Sequence, residues 1–205
     1  MQFFSPDSKF AQVMTFVGEM MLLNLCWILA SLPLVTAGAA NIAMYTIMGR
    51  RLRKEDNGTL IPFFKAWKSN LKQGVLFWLA QVLMSAGLAL YFFLPLPTAF
   101  KIIAGLVLVL VTLVFSILYP MIARFRNRWF ASVKNALILL VAKPGWALLN
   151  LLLILLPVAL LALAPVEFLR FGFIWLLFGF SGIFYLSAMV MRKILLPMEN
   201  MHQHK

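Results

Sequence analysis

Residues 102–123, IIAGLVLVLVTLVFSILYPMIA, run from Lys101 to Arg124 without one charged side chain. Twenty-two residues of α-helix rise about 33 Å, enough to cross a ~30 Å hydrocarbon core. Outward from this stretch lie four more uncharged runs, at 20–49, 73–100, 144–166 and 171–191, each 21 residues or longer. The reading is all-α: a polytopic helical membrane bundle, one integral membrane domain over 1–205. Its five transmembrane helices are expected at about 15–35, 74–94, 102–123, 145–164 and 171–191.

Composition agrees. The chain is 63% hydrophobic and 12% charged, against roughly 25% charged residues in a soluble domain. The longest polar stretch, 50–72, is too short to bury a core alone. The net charge of +12 would suit nucleic acid, but the cations gather at the ends of the apolar runs, as topology signals do. Nucleic acid is therefore not an expected partner.

Under the five-span reading, one side carries 15 of the 18 Lys and Arg and the other carries Lys9, Lys101 and Arg170. The positive-inside rule then places the N-terminus outside and the C-terminus in the cytoplasm of a bacterial plasma membrane. The first apolar run is too long for a signal-peptide core, so a retained helix is expected there.

The run 20–49 is also too long for one straight helix. It contains Ser31-Leu32-Pro33-Leu34-Val35-Thr36-Ala37-Gly38. Pro33 removes a backbone donor and Gly38 adds conformational freedom. The expectation is a helix to Leu32, a break, and a second helix near 39–53. Thr36 is placed to cap that helix or to satisfy freed backbone groups. The break reads as a kink near the cytoplasmic interface, a broken helix lining a cavity, or a shallow re-entrant turn.

Two basic segments are expected as cytoplasmic-side interfacial helices, about 61–72 and 125–142. In the first, Phe64, Trp67 and Leu71 share a face beside Lys65, Lys68 and Lys72. In the second, Arg126, Arg128 and Trp129 precede an apolar stretch. Such helices lie in the headgroup plane and face the anionic inner leaflet, or dock a cytoplasmic partner. Each precedes a two-span hairpin, and the hairpins end alike, in Ile117-Leu118-Tyr119-Pro120-Met121 and Ile194-Leu195-Leu196-Pro197-Met198. This is a weak parallel repeat or chance.

Polar residues in the spans are the functional candidates: Glu19, placed near the outer interface, then Asn24, Ser31, Pro33, Thr36, Gly38 and Gln81. Asn24 serves either as a bond across to another helix or as a substrate contact. Gln81 shares a face with Ser85. Asn150 enters the fourth span alone. Gly105, Thr112 and Ser116 form a packing stripe. Cys26 reads as a small apolar side chain. His202 and His204 alone make a poor metal site. Hydrolase, nucleotide-binding and zinc-protease motifs are missing from the sequence, so neither enzyme activity nor a cofactor is expected.

The string Leu23-Asn24-x-x-Trp27, Pro33-x-x-Thr36-x-Gly38 and an aromatic at Tyr45 resembles the opening of the YesL-like family, small bacterial membrane proteins carrying a domain of unknown function. Phe63-Phe64-x-x-Trp67-x-x-Asn70 and Lys134-Asn135-Ala136-Leu137 resemble it too. The resemblance supplies no catalytic residues. It implies, by association, a role in carbohydrate use beside an ABC-type sugar importer. Two functions follow as expectations. One is a non-enzymatic accessory or regulatory component linked to carbohydrate uptake. The other is a small, self-oligomeric transporter or channel with a pathway near the broken first helix.

Overall fold

The chain folds as an antiparallel helical bundle in the computed structural model, which describes residues 8–55, 58–95, 97–125 and 129–203, and describes the side chains of these except Trp129 and 196–203. Among the described residues the regular structure is wholly helical. The elements are α1 (Lys9–Ser31), α2 (Ala37–Leu52), α3 (Leu60–Ser69), α4 (Leu71–Tyr91), α5 (Thr98–Arg124), α6 (Trp129–Ala142), α7 (Pro144–Leu163), the short α8 (Pro165–Arg170) and α9 (Gly172–Ile174), a π-helical turn (Trp175–Gly179) and α10 (Phe180–Gln203). Five helical stretches are long and apolar enough to cross a membrane: 9–31, 71–91, 98–124, 144–163 and 172–195.

The break after α1 reverses the chain. Leu34 takes a left-handed φ of 42°, unusual for a non-glycine residue. Pro33 stands in the break and is exposed. Thr36 makes no side-chain cap to α2. Its Oγ1 instead donates to the Ala30 carbonyl at 2.6 Å, satisfying a group that the end of α1 leaves open. Helix α2 then folds back along α1. Trp27 Nε1 donates to Asn41 Oδ1 at 2.9 Å, and Arg51 pairs with Glu19.

That ion pair corrects the expected arrangement of the first segment. Glu19 was assigned to the outer interface and Arg51 to the inner side, yet they touch. The reason is the reversal at 32–36, which adds a return path that charge counting along a single span misses. The N-terminal part of α1 therefore lies with the C-terminal ends of α2 and α10, not at the opposite end of the bundle.

Helix α2 is the hub, touching α1, α3, α4, α5 and α10. Ten of its 16 residues are buried, among them Ala37, Gly38, Ala39, Ala40 and Ala43. Small side chains let neighbouring backbones come close. At the crossing with α4, a Cβ on Gly74 would fall 2.5 Å from the Ala39 amide nitrogen, and one on Gly38 would fall 2.7 Å from Trp78 Cβ. Gly38 is thus a packing glycine. The positive φ of the break belongs to Leu34.

Contacts fix the remaining directions. Tyr45 meets Ser187 and the Leu52 carbonyl meets Arg192, so α2 and α10 run parallel. Asn150 meets Ser187 and Lys143 reaches the Lys193 carbonyl at 2.7 Å, so α7 runs against them. Gln81 meets Tyr119, and Gly105 lies against Phe92, so α4 and α5 are antiparallel. Arg50, Arg51, Arg53, Arg124, Lys143, Arg192 and Lys193 gather at one end, called here the basic end. Lys101, in the first turn of α5, and Arg170, at the end of α8, lie at the other. Helices α3 and α6 each precede a pair of longer helical stretches.

Candidate functional site

Two regions gather the polar chemistry: a hydrogen-bonded core inside the bundle and the basic end.

In the core, two asparagines complete gaps in neighbouring helices. The turn at Trp175–Gly179 is π-helical, a local widening that disturbs the helix ladder. Asn24, fully buried, fits into that gap. Its Nδ2 donates to the carbonyls of Trp175 at 3.0 Å and Leu176 at 2.5 Å. Its Oδ1 accepts the Ser181 amide at 2.8 Å. One side chain thus joins α1 to the start of α10. Trp27, one turn on, packs on Phe180 and Phe184 at 4.8 and 5.6 Å between centroids.

The second gap is at Pro120, inside α5. A proline cannot donate to the carbonyl four residues back, which here is Ser116. Asn150 Nδ2 donates to that carbonyl at 3.1 Å. Asn150 Oδ1 then accepts Ser187 Oγ at 2.5 Å, and Ser187 Oγ lies 2.7 Å from Tyr45 Oη. The proton order follows from the inventory. Asn150 Oδ1 can only accept, so Ser187 spends its one proton there and Tyr45 donates to Ser187. The chain ties α2, α10, α7 and α5 together. Asn150, expected alone, is a junction.

Gln81 is also engaged, its Oε1 accepting Tyr119 Oη at 2.7 Å. Ser31 Oγ is buried without a partner. Glu19 belongs to the basic end, where Arg51, 10% exposed at its side chain, also lies over the Phe16 ring at 5.4 Å. The expected polar positions are therefore not brought together around one opening. Asn24 bonds α10, Gln81 bonds α5, Thr36 closes α1, and Gly38 packs on α4.

At the basic end, α3 presents its faces differently from the expected stripe. Phe63 is fully buried, while Phe64 is 43% exposed. The inward face is Phe63, Ala66 and Trp67, displaced from the expected Phe64–Trp67–Leu71 stripe. Trp67 Nε1 is buried without a partner. Lys65, Lys68 and Lys72 stand exposed. Ile61 and Phe130 are 82% and 92% exposed. Arg126 and Arg128 lie outside the described residues, as does the side chain of Trp129. The Arg53 guanidinium beside Glu55, joined to it by two bonds at 2.9 and 3.0 Å, holds that exposed carboxyl below the usual carboxylate range.

A broad groove of about 1320 Å³ opens at this end between α2, α3, the start of α4 and the end of α5. Among the described residues no cluster of three His, Cys, Asp or Glu side chains could hold a metal ion.

Residues 20–93 match a family model described as a protein of unknown function, DUF624. The match covers the second half of α1, then α2, α3 and α4: the hub helix and most of what surrounds it. It includes Asn24, Trp27, Pro33, Thr36, Gly38, Phe63 and Trp67, and stops before the Lys134–Leu137 segment. No curated protein and no solved structure matches the chain.

Proposed function

We propose that this protein is a non-enzymatic accessory membrane component whose basic end docks a partner. The observation that carries this reading is the state of the polar core. Asn24, Asn150, Ser187 and Tyr45 spend their hydrogen bonds joining helices, and Asn24 and Asn150 are fully buried. The cavities described at the basic end include neither Asn24 nor Gln81 in their walls. A transport pathway through Asn24 would need those bonds to be free for a solute.

The basic end supplies the alternative surface. Exposed Ile61, Phe64, Lys65 and Lys68 on α3 lie on the same end as exposed Phe130 on α6. Aromatic and aliphatic anchors ringed by cations suit an anionic protein face. Reversal of the chain at 32–36 moves Lys9 to this end. Among the described residues the split of cations becomes 13 to 2, which favours a basic end in the cytoplasm, with the start of α1 on that side. The YesL-like resemblance points to the membrane subunits of a carbohydrate importer as the partner.

The test is purification from native membranes in mild detergent, with mass spectrometry of what remains bound. Stoichiometric importer subunits with the wild type, lost on Lys65→Glu/Lys68→Glu while the chain stays monodisperse, support the reading. Unchanged recovery in that variant removes α3 from the interface. Recovery of the chain alone removes the accessory role.

A further inference from the structure

The inner wall of the groove at the basic end, around Arg50 and Gln73, carries chemistry that surface docking does not use. Its wall holds four cationic side chains, Arg50, Arg53, Lys65 and Arg124, against one carboxylate, Glu55. Glu55 is bound to Arg53, so the wall keeps a net positive charge. Gln73 also lines it, and Gln73 Nε2 is buried with no hydrogen-bond partner. A buried amide nitrogen with two unused donors is uncommon and costly unless an acceptor fills the site. Cations and an idle donor on one wall call for an anion rich in oxygen acceptors.

The groove is not wholly polar. Ile61 and Ile122 form part of its wall. A second, partly open cavity of about 140 Å³ shares Thr46, Arg53, Ala123 and Arg124 with it; the rest of its wall is mostly apolar, with Leu52, Pro120, Met191 and Leu195, beside Tyr45 and Arg192. A soluble phosphate would use the first space and leave the second empty. An amphiphile uses both.

We propose that the groove seats the phosphate headgroup of an anionic glycerophospholipid, with hydrocarbon next to the headgroup entering the adjoining cavity. Arg50, Lys65 and Gln73 Nε2 supply donors to the phosphate oxygens, and Arg53 and Arg124 supply the field at the boundary between the two spaces. This goes beyond general attraction of a basic surface to anionic lipid, because it places one lipid in a built recess. The recess shares Ile61, Lys65 and Phe130 with the surface proposed to bind protein, but Arg50 and Gln73 lie outside that surface, so varying these two tests the lipid site separately.

Native mass spectrometry of the full chain in micelles holding equal amounts of phosphatidylglycerol and phosphatidylcholine tests this. The wild type should retain phosphatidylglycerol in preference. Arg50→Gln/Gln73→Leu should lower that retention at least about tenfold, the share of one charge-assisted hydrogen bond, with its melting temperature unchanged or raised because Gln73 loses no bond. Lys101→Gln/Arg170→Gln, which removes as much charge or more at the far end, should leave retention alone. Equal retention of the two lipids overturns the proposal, as does an equal loss in both variants. Binding of glycerol 3-phosphate with no lipid adduct overturns the lipid source and assigns the groove to a soluble phosphate ester.

Discussion

Replacing Asn24 by leucine should destabilise the bundle without emptying any space. The two side chains share one branching pattern, and Asn24 is fully buried, so the effect is the loss of its hydrogen bonds plus the overpacking of methyl groups that need more room beside the two carbonyls. Three bonds disappear: those to the Trp175 and Leu176 carbonyls and that from the Ser181 amide. Interhelical bonds inside membrane proteins average about 0.6 kcal/mol and reach about 1.7 kcal/mol. Three of them sum to about 2 kcal/mol, with a ceiling near 5 kcal/mol. The upper part of that range applies if the two carbonyls and the amide stay dry and unpaired, since each orphaned buried group costs roughly 1–3 kcal/mol. The assay is reversible unfolding of the purified chain in mixed micelles, titrated with a denaturing detergent. Asn24→Asp is the companion variant. It keeps an acceptor for Ser181 but sets a carboxyl against two carbonyls, and should recover little. A loss below about 0.5 kcal/mol for Asn24→Leu would mean that the π-helical turn closes its own ladder and that Asn24 is free for another task.

Three further outcomes follow from the same geometry. Gly74→Ala places a Cβ 2.6 Å from Ala39 Cα and should cost about 1–3 kcal/mol by overpacking, whereas Gly87→Ala, whose Cβ meets nothing within 4 Å, should be neutral or stabilise by up to about 1 kcal/mol; thermal unfolding of the pair measures both. Glu19→Gln and Arg51→Gln should each destabilise, and a double-mutant cycle should give a coupling of about 1 kcal/mol, while zero coupling would place the two groups apart. Epitope tags at the two chain termini should be reached from the same side of the membrane, and tags reached from opposite sides would contradict the hairpin of α1 and α2.

The long apolar runs were legible because length and the lack of charge decide membrane crossing almost alone. The break at Pro33 was legible for the same kind of reason, since the run 20–49 is too long for one straight span and Pro33 removes a backbone donor within it. What α2 does was not. At 16 residues it falls below the length that marks a span, so a helix was expected near 39–53 but not as the centre of the molecule. The signal was there in Ala37-Gly38-Ala39-Ala40, which is too small and too apolar to face water. The partner of that string, Gly74, lies 36 positions away. Long-range pairing also hid the role of Asn150, because nothing near it in the chain announces Pro120 or Ser187. On α3 the error was one of phase. Phe63 and Phe64 are adjacent and chemically alike, so only packing against α2 decides which one turns inward.

The central place of α2 also bears on how the chain reaches the bilayer. A helix this short, ending in Gly49-Arg50-Arg51, gains too little from lipid to insert by itself, so it must enter joined to α1 as one hairpin. Its tyrosine then waits for a serine 142 residues later, and Asn24 waits for backbone groups more than 150 residues later. Asn150 can reach the Ser116 carbonyl once α7 is made, but its Ser187–Tyr45 arm and the whole Asn24 junction wait for residues 175–187. A chain cut before Trp175 leaves the Asn24 side chain and Tyr45 Oη without these partners, so the core of the bundle is completed only by its most distant stretch of sequence.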